Sequence, residues 1–168
     1  LSQEQIKVCQ SKGIDAQCID VKDVKETFQI ATAVFDVVNY IQTNDLHSFF
    51  KNVNNTLEIG GYFLFDINTL FGFEEIAQGS LNINKEDKFI AIDAFFEDNS
   101  LITNINLFEQ NNTHYIRTQN HITQYYHSYQ SLETVIVTNG FSIIKTVDFN
   151  LHSDDEPDKQ ILILEKIK

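Results

Sequence analysis

The 168-residue chain contains no methionine, one proline, six glycines and two cysteines. Each scarcity bounds what the chain does. A translation product opens on methionine whereas this chain opens on Leu1, so the expectation is a domain whose first part lies upstream. Cys9 and Cys18 are too few for a disulfide framework and read as reduced thiols, which points to the cytoplasm. They lack the paired histidine spacing of a zinc site, so no metal is expected. No serine-nucleophile motif is present. No apolar run approaches the ~20 residues that cross a bilayer. The opening "LSQEQIKVCQSK" is polar and periodic, unlike a signal peptide. A membrane is therefore not an expected partner. Basic residues are also scarce: 12 Lys and Arg stand against 24 Asp and Glu, for a net charge of −12. Such a surface repels a polyanion and argues against nucleic acid as a partner.

What remains is an ordinary globular composition, with 42% hydrophobic residues, long enough for one domain with a real core. Ser2, followed by Glu4, Gln5, Ile6, Val8 and Cys9, reads as a capped amphipathic helix that ends at Gly13. "AQCID", Ala16 to Asp20, reads as a short strand, and "FQIATAV", Phe28 to Val34, as a buried one. Residues 45–57 read as a helix with Asp45 as N-cap, because Leu46, Phe49, Phe50, Val53 and Leu57 recur at helical spacing. "LEIGGYFLFDIN" then turns on Gly60–Gly61, runs apolar through Tyr62–Phe65, and stops on Asp66 and Asn68. This alternation, with connections too long for hairpins, is the rhythm of a parallel α/β sheet with helices on both faces.

The character changes after Asn68. Phe71 to Ile76 reads as a helical turn or two. Lys88–Glu97, Leu101–Glu109 and His114–His127 are strand-like runs joined by "DNS" and "QNNT", which gives a three-strand antiparallel meander. Ser131 reads as the cap of a helix closed by Gly140. Strands at Ser142–Asn150 and Gln160–Lys166 follow, separated by the acidic loop "SDDEPDK". The expected organisation is an α/β core over 1–68, an inserted substrate or lid subdomain over 69–128, and a return to the core over 129–168.

In an open parallel sheet, ligands sit outside the carboxyl ends of the strands. Three such ends carry polar residues: Asp20, the "AVFDVVNYI" segment, and Asp66–Asn68. Asp and Asn also favour the starts of loops in their own right, so both readings stand on pattern alone.

Four segments, in order, resemble class I S-adenosylmethionine-dependent methyltransferases of a small-molecule subgroup. "SQEQIKVCQSKGIDAQCIDVKDV" is similar to the family's segment after the second strand. "FQIATAVFDVVNYI" resembles its fourth strand, F-D-L-I-x-x-x-F-D-S-x-N-Y. "NVNNTLEIGGYFLFDINT" resembles the fifth, L-K-P-G-G-x-F-x-F-D-I-N. "SYQSLETVIVTNGFSIIKTVDF" resembles the helix and G-F before the sixth. Gln29 replaces the usual Asp and Ile59 the usual Pro. The family's glycine-rich loop is absent, so the resemblance places it upstream of Leu1. The resemblance implies a Rossmann-like, mostly parallel α/β sheet with an inserted antiparallel meander and an antiparallel last strand. It implies S-adenosylmethionine as cofactor and methyl transfer to a small-molecule acceptor. It gives Asp20 the adenine amino group, the Val21 N–H a ring nitrogen, and Ala33, Val34 and Phe35 places along the cofactor, with Gly60 and Gly61 structural.

The subgroup often carries H-x-x-R-x-Y near the end of the last meander strand. His121 and Tyr126 match it while Gln124 replaces Arg, so the resemblance makes His121 the candidate base and Tyr126 an orienting hydroxyl. A hydrogen-bonded sheet histidine is the plainer alternative. The meander carries aromatics on both faces: Phe89, Phe95, Phe96, Phe108, Tyr115, Tyr125 and Tyr126. It therefore closes over the acceptor as a lid or forms a homodimer interface. Two other functions stay open: a nicotinamide-dependent oxidoreductase, against which the fourth- and fifth-strand segments argue, and a non-catalytic fragment or binding module.

Overall fold

A computed structural model describes residues 2–152 and 154–168. Leu1 and Ser153, the first residue of the expected acidic loop, lie outside the described residues. Helix α1, Gln3–Ser11, starts at Ser2, whose hydroxyl accepts from the Gln5 N–H. It buries none of its residues. Residues 14–20 form no strand, contrary to expectation. Alternating apolar residues there find no neighbouring strand among the described residues to pair with, and a lone extended segment is not a sheet. A 3₁₀ turn, Val21–Asp23, follows.

Strand β1 (Phe28–Ala33), helix α2 (Leu46–Asn55) and strand β2 (Leu57–Asn68) form a βαβ core, β1 and β2 being parallel with Ala33 opposite Phe65. Helix α3 (Tyr129–Thr138), strand β7 (Phe141–Phe149) and strand β8 (Lys159–Lys166) complete it. The sheet order is β1-β2-β8-β7, and β8 runs antiparallel to both neighbours. Three of its four strands thus share one direction, as expected, with β2 internal. The Ser128 hydroxyl, three residues before Ser131, caps α3. Asp45 sits at the start of α2 but makes no side-chain capping bond.

Alternation along β2 builds the core. Phe63, Phe65 and Ile67 are buried with Phe50 and Val53 of α2, Leu132 and Ile136 of α3, Phe141, Leu162 and Leu164. Phe50 meets Phe63, Phe65 and Phe141 edge-on at 5.6–6.5 Å between centroids, a favoured aromatic geometry. The opposite face, with Ile30 and Tyr62 exposed, has no such helical cover among the described residues, so helices line one face rather than both.

The inserted sheet has four strands rather than three: β3 (Gly79–Asn84), β4 (Lys88–Glu97), β5 (Ser100–Asn111) and β6 (His114–Tyr125), in that order. The extra strand, "GSLNIN", is a short polar edge. Asp98 and Asn99, both at positive φ, make the two-residue turn between Glu97 and Ser100, the twist that hairpins favour. A π-helical turn, Gly72–Ala77, seats the sheet: Phe73 stacks on Phe96 at 5.2 Å.

Candidate functional site

The carboxyl ends of β1 and β2 meet the 3₁₀ turn Val37–Tyr40, and the site grows from this junction. Asn39 is fully buried there. Its Nδ2 donates to the Tyr125 carbonyl at 2.9 Å, and its Oδ1 accepts from the Asn68 N–H at 3.0 Å. One side chain thus ties both sheets together. His127 does the same from the other side: Nε2 lies 3.3 Å from the Val38 carbonyl and 3.1 Å from that of Ile41. Only an N–H satisfies two carbonyls. Burial pushes the imidazole pKa down, and the two carbonyl contacts offset this only in part.

Beside the junction lies a cavity of about 870 Å³. Asp20, Val21, Ala33, Val34, Tyr40 and Phe49 are among the residues that line it. The structure therefore brings together four of the five residues assigned to the cofactor, across the 11 residues of chain between Val21 and Ala33. The Asp20 carboxylate is half exposed and accepts from the Lys22 N–H at 3.1 Å, which leaves acceptor capacity to spare. An acceptor-only carboxylate beside apolar walls suits a flat heterocycle with an exocyclic amino group.

Phe35 does not join this group. Its φ of 65° turns the ring outward, 85% exposed, at the mouth of a second, mostly apolar cavity of about 360 Å³. Val34, Leu64, Phe149, Leu151 and Ile161 wall that cavity, and Asp66 and Lys159 supply charge. At its polar end the Lys159 ammonium contacts Asp36 and lies 3.3 Å from Asp66. The sequence reading missed this ion cluster, since its members are 123 and 93 residues apart.

His121 and Tyr126 are not brought together. Register places His121 opposite Asn104, on the sheet face that carries Phe89, Phe95 and Phe108, where its ring is exposed. Tyr126 packs edge-on against Phe73, 6.2 Å between centroids, on the side of Phe96. Among the described residues no group of three or more His, Cys, Asp or Glu could hold a metal ion, and no helix is long and apolar enough to cross a membrane.

No protein-family profile matches the chain, and no curated protein matches it. Solved structures do. An S-adenosylmethionine-dependent methyltransferase from Clostridium acetobutylicum ATCC 824 is 24% identical and superposes with a TM-score of 0.79, over 98% of this chain and 72% of that one. The CcbJ methyltransferase from Streptomyces caelestis gives 9% identity and 0.75, over 98% and 76%. An amino pentose methyltransferase from Micromonospora echinaspora, with S-adenosylmethionine bound, gives 11% and 0.72, over 99% and 71%. The Rossmann-like sheet, its antiparallel last strand and the inserted antiparallel sheet are thus the fold of the S-adenosylmethionine-dependent methyltransferases.

Proposed function

We propose that the chain is the cofactor- and acceptor-binding part of an S-adenosylmethionine-dependent methyltransferase acting on a small molecule. The observation that carries this reading is the cavity shared by Asp20, Val21, Ala33 and Val34 within a fold that structural neighbours use for methyl transfer. Asp20 would accept from the adenine amino group, the Val21 N–H would meet a ring nitrogen, and Ala33 and Val34 would flank the cofactor. Bound S-adenosylmethionine supplies an activated methyl on a sulfonium. The chain's own work is then to orient the acceptor and exclude water, which supplies ~7–11 kcal/mol when alignment is good. The family's glycine-rich loop is not among these 168 residues, so the binding test uses a polypeptide that includes one.

The test is calorimetry with S-adenosylhomocysteine on that polypeptide. Asp20→Ala should weaken binding by about 1–3 kcal/mol, the scale of a hydrogen bond to a charged group. An unchanged dissociation constant removes Asp20 from the site, and no binding by the wild type removes the reading. Exposure of His121 gives its imidazole no shielded acceptor to deprotonate. Turnover of His121→Ala should stay at the wild-type level once an acceptor is known, whereas a fall of about 10²-fold would return it to the base's role. The face of the inserted sheet that carries Ile92 and Ile105 is given to a second copy of the chain, as a homodimer.

A further inference from the structure

The turn that follows β1 has an unusual backbone. Phe35 and Asp36 both sit in the left-handed region, at φ 65° and 60°, with no glycine to ease the reversal. Aspartate tolerates that region, but an L-residue with a bulky side chain resists it. Something must over-determine the turn for it to persist. The Phe35 ring is 85% exposed, so its own burial does not hold the turn. Downstream, the turn is continued by the Asn39 N–H, which donates to the Asp36 carbonyl at 2.8 Å. The remaining anchors belong to Asp36 and converge on one point. Its N–H donates to Asp66 Oδ2 at 3.3 Å, and its carboxylate accepts from the Lys159 ammonium, which also reaches Asp66 Oδ2 at 3.3 Å. The Lys159 side chain is nine-tenths buried.

Resting on the methyl-transfer reading for its functional part, we propose that Lys159 is a positioning residue. By tying Asp36 to Asp66 it holds the left-handed Phe35–Asp36 turn, and so sets Val34, Val37 and Tyr40 in the wall of the cofactor cavity. These three residues flank the turn and all line that cavity. The cluster's field also reaches the wall: burial raises the Tyr40 hydroxyl pKa, Asp36 raises it further and Lys159 opposes the rise. Without the ammonium, two carboxylates would face each other across the turn with no counter-charge, and like charges in a partly buried site push apart. The strained turn would open and carry the cavity wall with it.

The experiment uses the polypeptide that includes the glycine-rich loop, S-adenosylhomocysteine as probe, and thermal melts alongside calorimetry. Lys159→Met should raise the dissociation constant about tenfold, the scale of one lost charged contact. Lys159→Arg should restore binding, because it keeps the charge that bridges the carboxylates. Phe35→Gly in the Lys159→Met background should recover most of the affinity, since glycine adopts positive φ unaided. Wild-type affinity in Lys159→Met, or no recovery in the double variant, overturns the proposal. If Lys159→Met does not fold, the double variant decides: a folded, binding protein supports the clamp and an unfolded one overturns it. If the wild type binds no probe, the methyl-transfer reading fails, and the clamp is judged by the melting cycle alone. Coupling between Lys159→Met and Phe35→Gly then supports it, and additive effects overturn it.

Discussion

At the scale of single residues, the junction between the sheets depends on buried polar groups whose partners are backbone. His127 is the informative one, because its charge can change. Its folded-state pKa lies below the ordinary histidine value, chiefly through burial. At a pH between the two values the unfolded chain holds a proton that the folded chain does not, so stability rises with pH there. The predicted outcome is a melting temperature that falls as pH drops below about 6.5, the unperturbed histidine value. The slope should flatten in His127→Gln, which keeps an N–H donor but cannot titrate. An equal slope in both proteins would assign the pH dependence elsewhere. Asp158 works in the opposite sense chemically and in the same direction on stability. Burial raises its pKa, but the Leu151 and His152 N–H groups and the His152 ring outweigh this, and the net shift is downward. Its stabilisation is present above the usual carboxylate range and is lost as pH falls below it. Asp158→Ala leaves two N–H groups without their acceptor and should cost about 1–3 kcal/mol in urea unfolding. A change under a few tenths would show that water replaces the carboxylate.

At the scale of elements, strand β2 shows why "IGG" stands where it does. Between Phe28–Leu57 and Ile30–Tyr62 the register slips, so β2 carries a bulge through residues 58–61. Gly60 takes φ +79°, which glycine adopts without steric cost. Gly61 has ordinary φ, but a β-carbon there would sit 2.9 Å from the Glu58 carbonyl oxygen and 3.0 Å from that of Gln29. The first glycine serves conformation and the second serves contact, a division that the expectation of a simple two-glycine turn did not make. Gly60→Ala should cost about 1–2 kcal/mol, the left-handed penalty. Gly61→Ala should cost about 1–3 kcal/mol, because backbone rather than a flexible side chain must move. Stabilities equal to wild type would mean that the bulge relaxes freely. The same strand marks how far the sequence could be read. Elements with strong periodicity and punctuation, such as α1, α2 and β4, were legible at nearly their true bounds, whereas β2 begins at Leu57, five residues before the expected Tyr62. The polar edge strand β3 was not, and 16–20 was over-read, because pairing depends on a neighbour and not on local alternation. That Asp20, Val21, Ala33 and Val34 line one cavity was legible through ordered motifs. Lys159 was not, since only the order β1-β2-β8 brings its strand beside Asp66 and the turn at Asp36.

At the scale of the whole molecule, the inserted sheet projects more apolar surface than one copy covers. Register aligns Leu81, Ile92 and Ile105 across three strands, with Ile83, Ile90 and Leu107 in the next row on the same face. None of the six is buried, and Leu81 is 56% exposed. The sheet meets the core near its base, where Phe96 stacks on Phe73, Leu101 is buried and Asn39 donates to the Tyr125 carbonyl. Monomers seldom leave such continuous rows in water, and a second copy of the same sheet would cover them by a two-fold contact. Charge opposes that association: each copy carries −12. The balance gives a prediction with a sign. Repulsion between two acidic chains is screened as salt rises, since the Debye length shrinks from about 10 Å at 0.1 M to 3 Å at 1 M. Apolar burial is not weakened in that way. Sedimentation equilibrium should therefore show a dimer that tightens with added sodium chloride. Ile105→Asp, which places a carboxylate in the middle of the row, should leave a folded monomer by circular dichroism. A wild-type chain that stays monomeric at every salt concentration would leave the face without a second copy. A dimer that weakens with salt would point to an ion-paired contact elsewhere on the surface, because rows of leucine and isoleucine have no charge to screen.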